Sequence, residues 1–435
     1  MKKTGKKLLC LVLCVCTLAV MCVPAFAATY SKYTVLGDSF AAGYGLPDYE
    51  AKAKALGQKL NDGGAAWKDG SGNPGRIYIQ KSYSQLVADA LGMGSSYGKA
   101  TYSGWRTTEF LKVLQGSNSF STKYNEFVGA ANWIKQDYFF TSLTEIDQND
   151  GGLYKGRTVA AEQKAIMAEL KNSDLITVNL GQNDIFSYAL ACVLFDEIPA
   201  IESAATNPLK LPTAIANFTT AFLNGIDHGT NNFQQDFPSL IEEIKKNVKS
   251  SAKIVVLGIS NPLYADNILS ASFIDLADLR VAKVNSWLKS YCDQNGLIYC
   301  DTTDTRNYGL GVVEWSKVFA GNFTGGDGAM WSALKAVHPT ENGHYYIAQQ
   351  ILDVLGKGTA NVTPTVTKVL GKPQLKWNAV KGAWGYEVLR SKDGGKSYQT
   401  VGVSLNTTYI DLLGSTAYLY QVKPVMTVLG VKLPG

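Results

Sequence analysis

Histidine is scarce in this chain: His228, His338 and His344 are the whole supply among 435 residues. Cysteine numbers only seven, and proline 13. No HExxH or related spacing occurs, and the cysteines beyond residue 27 (Cys192, Cys292 and Cys300) lack the histidine spacing of a zinc site. No glycine-rich phosphate loop opens a helical pattern, so no metal and no cofactor is expected. Cys292 and Cys300 remain open between a disulfide and two buried free thiols.

Charge of one sign is lacking too. The formal net charge is +5, from 41 basic and 36 acidic residues. Four of the lysines (Lys2, Lys3, Lys6 and Lys7) stand at the head of a short apolar run, residues 8–23, that ends in Ala25-Phe26-Ala27. A basic start, an apolar stretch too short to span a bilayer and a small-x-small end make residues 1–27 an expected secretory signal peptide. Without those four lysines the 41 basic residues fall to 37, against 36 acidic ones. That balance offers no field for nucleic acid or an anionic membrane.

The composition is otherwise that of a globular chain, 46% hydrophobic and 18% charged. Nearly continuous β-branched runs recur at residues 34–36, 99–102, 175–180, 253–257 and 297–300. Strands buried on both faces read this way, which implies a parallel sheet. Helical patterns fill residues 84–91, 160–171, 237–250 and 275–295. The β-α alternation predicts a doubly wound, flavodoxin-like α/β domain over residues 28–357, with helices on both faces of the sheet. Two long insertions interrupt it. Residues 112–158 carry Phe120, Tyr124, Phe127, Trp133, Tyr138, Phe139 and Phe140; residues 186–235 follow the third strand. Most of these aromatics are assigned to packing.

The character changes near residue 357. Residues 358–366 are a polar Gly/Thr/Pro linker. From residue 367 to 435 short alternating runs separated by turns predict a small C-terminal β-sandwich, short or incomplete at one edge. Its stretches "LKWNAVKGAWGYEVLRS", "TTYIDL" and "YLYQVKPV" resemble a fibronectin type III module.

The chemistry begins at Gly37-Asp38-Ser39. A parallel strand that ends in a glycine turn delivers the next residue to the carboxyl edge of the sheet, where doubly wound proteins bind ligands. If a helix starts there, Ser39 lies among unpaired N–H groups at the positive end of its dipole, a setting that favours a nucleophilic oxygen. The same position suits a plain helix cap.

Three further blocks stand at later points: Ser103-Gly104-Trp105-Arg106-Thr107, Gly181-Gln182-Asn183-Asp184, and Val337-His338-Pro339-Thr340 followed by Asn342-Gly343-His344. Together with "GDSFAAGYG" they resemble the four motif blocks of the SGNH, or GDSL, serine hydrolases over roughly residues 30 to 355. The resemblance implies Ser39 as nucleophile and His338 as base. It implies an oxyanion hole made by the N–H groups of Ser39 and Gly104 and the amide of Asn183. Those roles fit what acyl transfer needs: a nucleophile, a base and donors for the developing oxyanion. Asn183 alone would equally serve to brace a turn. His344 is expected to be a structural partner on the following helix, and His228 to be exposed.

One position departs from the family. Lys335 stands three residues before His338, where the family carries an aspartate. A lysine side chain cannot accept the imidazole Nδ1–H. The backbone carbonyl of Lys335, or the carboxylate of Asp327, is the expected orienter. A G-x-S-x-G stretch at residues 94–98 follows a helical pattern and precedes a strand, the reverse of a nucleophile elbow, and is read as a loop.

The expected function is that of a secreted serine esterase. Its substrate would be a carboxylic ester, an acetylated polysaccharide or a lipid or simple ester, and the C-terminal module would contact cell-wall or extracellular polymer. The competing class is a non-catalytic extracellular binding or adhesion protein on a hydrolase scaffold, which Lys335 favours and four intact blocks oppose.

Overall fold

The computed structural model describes residues 30–55, 78–102, 104–117, 159–192, 201, 203–204, 207, 209–265, 271–305, 310, 336–355, 361–380, 383 and 385–425. The expected signal peptide, the aromatics named in the first insertion, and both candidate orienters, Lys335 and Asp327, lie outside them. The chain divides into two units, Met1–Ser31 and Lys32–Gly435, and the elements that follow belong to the second.

In chain order the first part comprises β1 (Tyr33–Gly37), α1 (Ser39–Ala42), α2 (Pro47–Ala55), α3 (Tyr83–Ala90), β2 (Gly98–Thr101), α4 (Thr107–Leu114), α5 (Val159–Leu170), β3 (Leu175–Asn179), α6 (Gln182–Cys192), α7 (Leu211–Asn247), β4 (Lys253–Leu257), α8 (Ala271–Gln294), β5 (Ile298–Cys300) and α9 (Glu341–Val354). The five strands form one parallel sheet in the order β2-β1-β3-β4-β5. This is the flavodoxin-like order, with the chain reversing direction of build at β1 and β3. The doubly wound α/β expectation describes this sheet.

Every residue of β1, β2 and β3 is buried, which accounts for the absence of polar alternation in their sequences. Side chains still alternate between faces. Leu36, Ile176, Val178, Ile254 and Val256 share one core with Phe233, Phe237, Leu240 and Ile241 of α7 and Val284 and Leu288 of α8. Tyr33, from the opposite parity of β1, stacks on Tyr97 at 5.5 Å, and its hydroxyl lies 2.9 Å from Thr177 Oγ1. α3 carries Tyr83 against His344 of α9.

The second insertion is mostly helix. The pattern placed at residues 237–250 is the last third of α7, which runs for 37 residues. Its buried stripe of Phe222, Ile226, Phe233, Phe237 and Ile241 carries the packing expected of that region. His228 lies on this helix half-buried rather than exposed, with its Nε2 3.2 Å from Asn232 Nδ2. Cys292 and Cys300 are free and buried; burial pushes the Cys292 thiol up to about 12. Residues 94–97 lie in the connection from α3 to β2, and Gly98 opens β2.

Beyond α9 come β6 (Thr365–Val369), β7 (Lys372–Lys376), β8 (Gly385–Ser391), β9 (Gln399–Ser404), β10 (Thr408–Ile410) and β11 (Leu419–Val425). They form two antiparallel three-stranded sheets, β10-β7-β6 and β11-β8-β9. Leu375 of one sheet and Tyr386, Val388, Tyr420 and Val422 of the other bury together with Trp377. β6 begins at Thr365, inside the stretch read as linker, and Val362 already bridges to Val422. Arg390 and Asp411 make a buried ion pair at 2.8 Å, and Tyr420 donates to the same Asp411 oxygen at 3.1 Å.

Candidate active site

Strand register assembles the site. Gly37, the last residue of β1, pairs with Thr101 on one side and Asn179 on the other. The three strands therefore end level, and the residues that follow them leave the same carboxyl edge: Asp38 and Ser39, then Gly104, then Asn183. No amount of local propensity would bring them together; the parallel ladder does.

Ser39 is the first residue of α1, and it does not cap that helix. The cap is Asp38, whose Oδ1 accepts the Phe40 N–H at 3.0 Å. The alternative of a merely capping serine thus passes to its neighbour, and Ser39 keeps a first-turn N–H that has no acceptor within the helix. The residue is buried, at 7% exposure.

His338 comes from the far end of the domain, three residues before α9 begins. Its Nε2 lies 2.6 Å from Ser39 Oγ, across 299 residues of sequence. Pro339 bridges to Leu310 and Thr340 caps α9 by accepting from Gly343 N at 3.4 Å, so the backbone is fixed just after the imidazole. Tyr44 and Phe40 flank the ring, with centroids at 4.6 and 5.3 Å.

Gly104 has φ +80° and is exposed, and a Cβ there would meet nothing within 4 Å. The residue is glycine because of its left-handed backbone, and the space beside it is open. Behind it Trp105 stacks on Tyr102 at 4.1 Å and meets Phe110 edge-on at 4.9 Å.

Asn183 is half-buried at the start of α6. Its Nδ2 donates to Trp105 O at 3.1 Å and to Asp38 Oδ2 at 3.4 Å. It therefore ties the loop after β2 to the turn after β1. The next residue, Asp184, accepts from both Thr107 N and Thr107 Oγ1 at 3.1 Å, joining the starts of α6 and α4. Burial holds Asp184 up to about 7. Asp38 rises to about 8, through burial first and the nearby Asp184 carboxyl second.

His344 does not reach the pair. It is fully buried, its Nδ1 accepts from Tyr83 N at 3.2 Å, and its Nε2 is buried without a hydrogen-bond partner among the described residues. Burial lowers it to about 3, so it stays neutral. Lys99 of β2 is also buried, donating from Nζ to Ala42 O at 3.1 Å beneath α1. The sequence reading gave no role to Asp38, Asp184 or Lys99. The signal for Asp38 was present, since an aspartate just before a helix start is a preferred cap.

A serine hydroxyl and an imidazole in hydrogen-bond reach at the carboxyl edge of a doubly wound sheet are the parts that an activated nucleophile needs. The chain belongs to the GDSL-like lipase/acylhydrolase family, whose model matches residues 33–351, and it is a carboxylic ester hydrolase. No curated protein matches it by sequence. Among solved structures it is similar to an extracellular lipase from Streptomyces rimosus, at 17% identity over 75% of this chain and 99% of that one, with a TM-score of 0.38. A phospholipase A1 from Streptomyces albidoflavus gives 17% identity over 76% and 100%, with a TM-score of 0.42. A catalytic mutant of an acetylxylan esterase from Geobacillus stearothermophilus gives 13% over 76% and 96%, with a TM-score of 0.33.

Proposed function

We propose that the chain is a secreted serine esterase working through a Ser39–His338 pair. The observation that carries this is the 2.6 Å separation of His338 Nε2 from Ser39 Oγ. Neutral imidazole takes the hydroxyl proton as Oγ bonds to the ester carbonyl carbon. The carbonyl oxygen becomes an oxyanion beside the N–H groups of Ser39 and Gly104 and the Asn183 amide. His338 then protonates the leaving alcohol, and a water deprotonated by the same ring releases the acid from the acyl-enzyme.

The substrate is an acetylated carbohydrate or a lipid or simple ester. The open space at Gly104 leaves room for the acyl carbonyl, and the rings of Tyr44 and Phe40 line the histidine side. Export rests on the leader-like residues 1–27, and the C-terminal sheets are read as a fibronectin type III-like module that contacts cell-wall or extracellular polymer.

A serine-directed fluorophosphonate tests the mechanism. It should label Ser39 in folded protein, and Ser39→Ala should lose both the label and at least about 10⁴-fold in kcat on p-nitrophenyl acetate. A folded wild type that neither takes the label nor hydrolyses acetyl, short-acyl or long-acyl esters would instead be a binding protein on this scaffold.

A further inference from the structure

Asp38 touches three parts of the site. Its N–H donates to Asn179 O at 3.2 Å at the end of β3. Its Oδ1 accepts from Phe40 N at 3.0 Å and caps α1. Its Oδ2 accepts from Asn183 Nδ2 at 3.4 Å. Capping uses only the first oxygen, and Ser, Thr or Asn would cap as well. A fully buried carboxyl group is costly unless its second oxygen also has work.

That work is legible from the Asn183 amide. Nδ2 carries two protons. Its two acceptors are Trp105 O at 3.1 Å and Asp38 Oδ2 at 3.4 Å, so both protons are committed within the chain. The longer bond is the weaker, and it is the one a developing oxyanion can take over. We propose that Asp38 is a positioning residue for ester hydrolysis: its Oδ2 fixes the plane of the Asn183 amide and holds the N–H that then turns its hydrogen bond to the oxyanion. The inference rests on the Ser39–His338 reading above.

The groups around Asp38 set how firmly it holds. α6 contributes the Asn183 amide and the Asp184 carboxyl, with Arg106 and Glu109 behind Asp184. α1 contributes the Phe40 N–H, α3 the Tyr83 phenol, and His338 faces Ser39 one residue on. No cation is its direct hydrogen-bond partner in these contacts. A protonated Asp38 grips the amide weakly; an ionised one grips it strongly and competes with the oxyanion. Hydrolysis should therefore decline as pH rises through the ionisation of Asp38, at about 8.

The experiment is a set of kcat–pH profiles on p-nitrophenyl acetate for wild type, Asp38→Asn and Asp38→Ser. Both variants keep a capping side chain, and neither can ionise. The alkaline decline should be present in wild type and absent in both variants. Asp38→Ser, too short to reach Asn183, should lose kcat by more than about tenfold but less than the 10²–10³-fold of deleting an oxyanion donor, with KM held within about twofold. Retention of the decline in Asp38→Asn overturns the proposal. So does an Asp38→Ser enzyme with the wild-type kcat and pH profile, because the contact from Oδ2 to Asn183 would then do nothing for the amide. If wild type itself shows neither hydrolysis nor phosphonate label, it is the esterase reading that fails; with wild type active and labelled, only the role of Asp38 is decided.

Discussion

At the carboxyl edge of the parallel sheet, Asp38 is fully buried, and among the described residues its carboxylate oxygens accept from the Phe40 N–H and the Asn183 amide. In the antiparallel module Asp411 is almost as buried, yet it sits 2.8 Å from Arg390 and accepts a tyrosine hydroxyl as well. The first arrangement pushes a carboxyl towards neutrality; the second pairs it outright. Buried groups displaced from their ordinary ionisation are common where chemistry happens, and paired ones where shape is being held. The contrast is between these two carboxyls, since the α/β part also buries an ion pair, Arg106 with Glu109, and each side of it can be broken.

The largest effects should come from the two cores. Phe237→Ala removes a ring at the centre of the cluster shared by β3, β4, α7 and α8 and should cost about 3–5 kcal/mol. Leu375→Ala, in the small core of the β module, should cost about 2–5 kcal/mol. Limited proteolysis should then open residues 365–425 in Leu375→Ala while ester hydrolysis persists. Hydrolysis lost together with the β module would show that the two regions are not separate in function.

A kinetic substitution sharpens the contrast next. On the proposed mechanism, in which its amide acts on the transition state, Asn183→Ala should lower kcat by about 10²–10³-fold with little change in KM. An equal rise in KM with kcat unchanged would make Asn183 a ground-state contact that only braces the loop after β2.

How much of this was legible beforehand follows from where each signal lies. The strands of the parallel sheet announced themselves as unbroken apolar runs because both faces are covered. The middle of α7 did not. Residues 224–232 read "NGIDHGTNN", a loop by composition, yet they are helical. Gly229 lies where a Cβ would stand 2.2 Å from Asp184 O, so its smallness serves the close crossing of α7 and α6. The helical pattern read from residue 237 begins one residue before Pro238, yet that proline lies inside the helix, with the buried stripe continuing on either side of it. In the tail, Thr365 and Val366 fall in the linker by composition, but β-branched residues also suit an exposed strand, and the two open β6. Ser39 and His338 are 299 residues apart; the order of four short blocks suggested their meeting, which no local pattern encodes. The role of Asp38 was hidden because it depends on Asn183, 145 residues away.

The smallest effect concerns Lys99, which tests the buried edge without touching a reacting atom. Its ammonium lies beneath α1, 3% exposed, with Lys52 and Asp48 as charged neighbours and His344 within electrostatic reach. Burial first, and Lys52 second, lower it to about 7. In the unfolded chain the same group titrates near about 10.4. Below pH 7 both states carry the proton, and folding bears the whole cost of burying the charge. Between about 7 and 10.4 the folded chain gives up a proton that the unfolded chain keeps, so stability recovers as pH rises. Lys99→Met removes the charge at similar length. It should melt higher than wild type, by more than about 1 kcal/mol near pH 6.5, and the margin should shrink towards pH 9.5. A margin that does not change with pH would mean that Lys99 is as well satisfied as the Arg390–Asp411 pair, and the difference between the two regions would no longer lie in how they treat buried charge.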